Sequence, residues 1–126
     1  MRGAGPVPGA MAVMAMLVLG ACASGASTPG LGRWGDVRGT GGPGLTLAAG
    51  GTLTGTDGCN TISGTWTATG TTVEFSDVTT SRLPCPSSTA FWVLNLRSAV
   101  IEGTTMHVLD ADGTEIGTLD QAAPGT

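Results

Sequence analysis

The sequence predicts a mainly β domain, a small antiparallel β-barrel or meander with one α-helix at about residues 87–97. Three observations predict it. The 126 residues include 22 Gly, which punctuate the chain at short spacing. Thr is abundant, and short runs between turn signals alternate apolar and polar residues, as half-buried strands do. One stretch alone, opening at Pro86-Ser87-Ser88-Thr89, has helix-start chemistry, since its hydroxyls can accept from the first free backbone N–H groups. A chain of this length holds one modest core.

Taken in order, Trp34 and Val37 are expected in a first strand, and residues 39–44, dominated by Gly, in a loop. Residues 45–48 and 52–55 alternate strictly around Gly50-Gly51, a dipeptide that accepts positive φ and suits a two-residue hairpin turn. After the Asp57-Gly58 turn, residues 59–68 read as a longer strand with Ile62, Gly64 and Trp66 on one face. Thr69-Gly70 turns the chain into its partner, where Val73 and Phe75 face inward, toward Trp66, and Glu74 outward. Residues 78–83 continue as an extended edge or loop. The helix is expected to turn Phe91 and Leu94, with Trp92, inward and to cover one end of the sheet. Strands at 100–101, 106–109 and 115–119 close the domain through turns at Glu102-Gly103 and residues 110–113. Residues 121–126 read as a disordered tail.

The N-terminal segment carries an address. Arg2 is followed by an apolar run over residues 10–19, shorter than the ~20 residues a bilayer-spanning helix needs and suited to a signal peptide. The run ends at Leu19-Gly20-Ala21-Cys22, which resembles the lipobox of bacterial lipoproteins. That resemblance implies a signal peptide at residues 1–21, cleavage after Ala21 and a diacylglyceryl thioether on Cys22. The alternative readings are an ordinary secretory signal cleaved nearby and a cytosolic protein with a floppy apolar tail. Two acyl chains anchor stably where one does not. Residues 22–32, rich in Ser, Ala, Gly and Pro, read as a flexible tether, and residues 33–120 as the folded domain. The expected location is extracytoplasmic, lipid-anchored to the cell membrane through Cys22, the membrane being the one partner this address names.

Charge and motifs exclude several function classes. The chain has 5 Arg, no Lys, 9 acidic residues and a net charge of −4, with no basic run, so nucleic acid is not an expected partner. Beyond Cys22, Cys59 and Cys85 form an even pair, most simply a disulfide in an oxidising compartment, with metal ligation or a reactive thiol as the alternative. His107, the single histidine, sits in an alternating strand, and no Gly-x-Ser-x-Gly frame accompanies it, so an enzyme is not expected. Asp110-x-Asp112-Gly113 opens like a calcium loop but lacks the later ligands and reads as a hairpin turn. No metal and no cofactor is expected. The candidate binding surface is Asn60, beside the cysteine pair, with Arg82, a lone cation placed just before Pro84-Cys85-Pro86.

Three segments carry a family resemblance: Gly58-Cys59-Asn60-x-x-Ser63-Gly64, Thr80-Ser81-Arg82-Leu83-x-Cys85-Pro86, and the closing hairpin from Glu102-Gly103 through Met106 and Val108 to Asp110-Ala111-Asp112-Gly113. Together they resemble the META domain, the family of the HslJ-like bacterial lipoproteins, over about residues 31–120. Thr61 and Ile62 stand where that family commonly has Arg-Phe, and Leu83 where it commonly has Met. The resemblance implies a barrel-like antiparallel domain with one helix in surface or periplasmic proteins, some heat-inducible or tied to stress, and it brings no catalytic residues. The expected function is therefore non-enzymatic binding in an envelope or stress-related role, the partner being a protein or a small molecule. The alternatives are a carrier of a small apolar ligand inside the barrel, and an inhibitor or partner of a secreted enzyme.

Overall fold

A computed structural model describes residues 28–36 and 42–122. The expected signal peptide, the lipidation site Cys22, most of the tether, Val37 and the end of the tail lie outside the described residues. Eight strands follow one another: β1 (Gly32–Gly35), β2 (Gly44–Leu47), β3 (Thr52–Thr56), β4 (Thr61–Thr69), β5 (Thr72–Thr80), β6 (Ser98–Glu102), β7 (Thr105–Leu109) and β8 (Glu115–Asp120). All belong to one antiparallel sheet whose spatial order is the sequence order. The sheet curls into a nearly closed barrel, because Trp34 forms a bridge with Gln121 and the Ala122 N–H donates to the Arg33 carbonyl. Chain pairing therefore continues through Ala122, past the expected start of the tail. At the other end Gly30 is buried and its carbonyl accepts the Trp34 Nε1–H at 2.8 Å, so the fold begins inside the expected tether.

The turns follow glycine chemistry. Gly50 and Gly51 both have positive φ, near 96° and 94°, but the loop spans three residues, with Gly51 N–H donating to the Ala48 carbonyl and Ala48 N–H to that of Thr52. Trp66 and Phe75 are Cα partners across β4 and β5, as the alternation of both strands predicts. That ladder breaks between Ser63 and Thr65, where β5 carries an extra residue and Asp77 sits at φ 51°. The backbone there presses on Gly64, at which a Cβ would come within 2.8 Å of the Ser76 carbonyl oxygen.

The interior is one cluster that includes Trp34, Leu45, Leu47, Leu53, Trp66 and Phe75. Each such side chain contributes roughly 1.5–3 kcal/mol on burial. Both buried indoles keep their N–H groups satisfied, Trp66 through the Ala48 carbonyl at 2.9 Å.

The expected α-helix is the main correction. Residues 87–97 contain no α-helix, only a 3-10 helix at Phe91–Asn95 whose cap residue Ala90 receives no side-chain hydrogen bond. Both flanks of the segment are claimed by tertiary hydrogen bonds. Ala90 N–H donates to the Asp57 carbonyl in front. Behind, Arg97 N–H donates to Leu109 and the Arg97 carbonyl accepts from Phe75. Six residues, 91–96, remain between these anchors, and a helix of three residues per turn fits them. The inward face shifts accordingly. Val93 and Leu96 are buried, three apart, while Phe91 is exposed.

Candidate functional site

The turn between β3 and β4 is built on Asp57, which the sequence places in a turn but not among the candidate site residues. Asp57 is completely buried, and its Oδ1 accepts the backbone N–H groups of Cys59 at 2.8 Å and Asn60 at 2.5 Å. Its Oδ2 accepts from Asn60 Nδ2 at 3.0 Å. Burial pushes this carboxyl upward, but the Asn60 side-chain amide and the backbone N–H groups outweigh it and hold Asp57 below the usual carboxylate range. The signal that could have found it is the Asx-turn chemistry of Asp followed by Gly, with Gly58 at φ 101°.

Asn60 is the second hub. It too is buried, and its amide nitrogen lies 3.3 Å from Cys85 Sγ. Its Oδ1 accepts the Leu83 N–H at 2.7 Å and the Ser81 hydroxyl at 3.1 Å, while Ser81 Oγ accepts the Thr61 N–H at 3.0 Å. Cys59 and Cys85 form a disulfide across a sequence separation of 26, with their Cα atoms 6.0 Å apart. The expected pair of binding residues borders one cleft, with different roles. Asn60 faces inward with its amide fully used, and serves to hold residues 81–85 against β4. Arg82, by contrast, is exposed on the held segment.

Arg82 and Asn60 line a cleft of about 380 Å³ together with Thr80, Leu83, Phe91 and Leu94. Leu83 and Phe91 are 56% and 42% exposed, and they are the large hydrophobic side chains that the described surface leaves open. Among the described residues, the Arg82 guanidinium has no ion pair and no hydrogen-bond partner. The site thus combines one free cation with two open apolar walls. Nothing in it pairs a nucleophile with a base.

A separate polar cluster surrounds His107 on β7, whose ring nitrogens lie 3.0 Å from Glu115 Oε1 and 2.8 Å from Glu102 Oε1. The hydrogen bond with Glu115 is the largest influence; with the charge of Glu115 and the Glu102 contact it raises the His107 pKa, against an opposing pull from burial. A raised folded value means that the contribution is fully present below pH ~6.5 and is lost as pH rises through the folded value. An NMR titration of the His107 ring is expected to give a midpoint above that of a free imidazole. E115Q is expected to bring it back toward the free value, and an unchanged midpoint in that variant would remove Glu115 as the cause. The Asp110 carboxylate accepts the N–H groups of Asp112 at 2.9 Å and Thr114 at 3.0 Å, which is turn chemistry. Among the described residues no group of three or more His, Cys, Asp or Glu side chains is placed to hold a metal ion. No helix among them is long and apolar enough to cross a membrane.

The model of one protein family, the META domain, matches residues 30–122. No curated protein and no solved structure matches the chain.

Proposed function

The chain belongs to the META domain family, and on that footing we propose that it is a non-enzymatic domain, lipid-anchored through Cys22 outside the cytoplasm, that works by binding a partner at the Arg82 cleft. One observation carries this reading. Leu83 and Phe91, both open to solvent, share one cleft with an arginine that has no partner of its own. Exposed apolar side chains gathered around a polar group are a common mark of interaction sites. The filled interior, with Trp34, Trp66 and Phe75 in one packed cluster, speaks against a ligand carried inside the barrel. A secreted enzyme remains one kind of partner such a cleft could engage.

The test uses the full chain in its own cell envelope, with a photo-crosslinking residue at position 91. Capture of a defined partner is expected, with a several-fold lower yield in R82Q. Equal capture from a crosslinker at exposed Thr71, indifferent to R82Q, would overturn the reading. Hydrolysis of an ester, peptide or glycan panel that one point substitution abolishes would do the same. The anchor is checked by mass: a mature N-terminal cysteine carrying acyl chains is expected, and an unmodified Cys22 in the exported protein removes it.

A further inference from the structure

We infer that the Arg82 cleft takes an extended polypeptide segment carrying a carboxylate, added as a strand to the open edge of β5. This rests on the proposed binding role and names the class of its partner. Three features of the backbone lead there.

The first is an unpaired edge. β5 is nine residues long, but β6 covers only Thr72–Glu74 of it, followed by the single hydrogen bond from Phe75 N–H to the Arg97 carbonyl. Beyond that point the chain of residues 81–97 departs from the sheet, and β5 pairs with β4 alone as far as Thr80. The second is direction. Ser81 N–H donates to the Thr61 carbonyl and Leu83 N–H to Asn60 Oδ1, so both point toward β4. Successive N–H groups of an extended chain alternate, so those of Val78, Thr80 and Arg82 point the other way. No backbone group among the described residues meets them there. The Asp77 bulge makes the parity consistent, since Phe75 N–H also points away from β4 and one extra residue lies between.

The third is what stands along that edge. Thr80 and Arg82 form part of the 380 Å³ cleft opposite Phe91 and Leu94. Phe75, Asp77 and Val78 line a second cleft of about 180 Å³ with Arg97. In that second cleft the Arg97 guanidinium already donates to the Leu96 carbonyl at 2.7 Å and the Asp77 carboxylate stands near it, so Arg82, which has no such bond, is the cation better placed for an incoming carboxylate. A strand laid along Val78–Arg82 would cover roughly 13 Å, about four residues at 3.3 Å each. It would meet backbone donors on one side, apolar side chains beneath, and a guanidinium suited to a forked carboxylate contact. The bulge selects for such a short guest over a second copy, because a kinked edge resists long sheet-to-sheet pairing. Asn60 is then a positioning residue, which keeps the edge straight past the end of β5.

The experiment selects binders from a random displayed peptide library on the full chain, and then measures affinity and amide hydrogen exchange. Selected peptides are expected to carry an acidic residue or to need a free C-terminal carboxylate, which blocked and unblocked syntheses distinguish. R82Q is expected to weaken them roughly tenfold or more, and bound peptide to slow exchange at Val78 and Thr80. T80P removes one outward donor at a place where an edge strand tolerates proline, and is expected to abolish binding. Should T80P fail to fold, the exchange measurement on the unaltered chain decides alone. Peptides lost in L83S that leave Val78 and Thr80 exchange unchanged would overturn strand addition and leave the cleft reading standing. Concentration-dependent self-association that protects the same amides would make the guest a second copy and overturn the inference. A library that yields no binder would also overturn it, whereas the reading of the cleft falls only with the crosslinking result.

Discussion

Replacing Cys59 and Cys85 together by serine is expected to lower unfolding stability by about 3–4 kcal/mol, the chain-entropy cost of releasing a loop of this length. The bridge joins residues 26 apart in sequence, and it is the covalent tie between the Asp57–Asn60 turn and the Arg82 segment. For a domain with one small core, that is a large share of the total. Denaturant titration of the oxidised protein and the double variant measures it, as a lower midpoint with a steeper slope because the uncrosslinked denatured chain is more expanded. A loss below about 1 kcal/mol would mean that the hydrogen bonds of Asn60 hold the segment without the bridge. Hydrogen exchange should separate the two contributions, with residues 81–86 opening first in the variant.

The second large effect is expected at Asp57. Asp57→Ala leaves the N–H groups of Cys59 and Asn60 and the Asn60 amide without their acceptor in a buried turn, at a cost of roughly 3–5 kcal/mol. The acid limb of stability should change with it. The folded Asp57 value lies below 3.8, so its contribution is fully present above that pH and fades as pH falls through the folded value. The variant is expected to lose stability at neutral pH and to show a flatter acid decline than the parent. A parallel decline in both proteins would assign acid sensitivity to other carboxylates. Asn60→Ala should be markedly non-additive with Asp57→Ala, because the two side chains share one hydrogen-bond network.

Period-two alternation made most of these strands readable, as where Val73 and Phe75 are buried while Glu74 is exposed; β5, however, runs on through Thr80, past the alternating stretch, and β6 opens at Ser98, ahead of the expected 100–101. The cysteine pair was legible from compartment and count, and the structure closes it. The helix was not, because its fate depends on the Asp57 carbonyl and on Arg97, partners remote in sequence that take the hydrogen bonds at each flank of the segment. Asn60 and Arg82 border one cleft, yet nothing local in the sequence indicates which of them points inward. That is decided by the Asx turn at Asp57, whose carboxylate captures the Asn60 amide and leaves Arg82 as the residue that meets solvent. The sequence reads residues 78–83 as an extended edge or loop, but how much of β5 stays open depends on where β6 begins its pairing.

The strictly sequential strand order bears on how the domain folds. Every ladder joins neighbours along the chain, and the contact that spans its whole length is the closing bridge between Trp34 and Gln121. Apart from residues 81–97 between β5 and β6, the connections are short and cost little closure entropy, so hairpins on either side of that segment can form and extend before the ends must find each other. Folding should accordingly be quick for an all-β domain, with the seam between β1 and β8 the last part to close and the first to open.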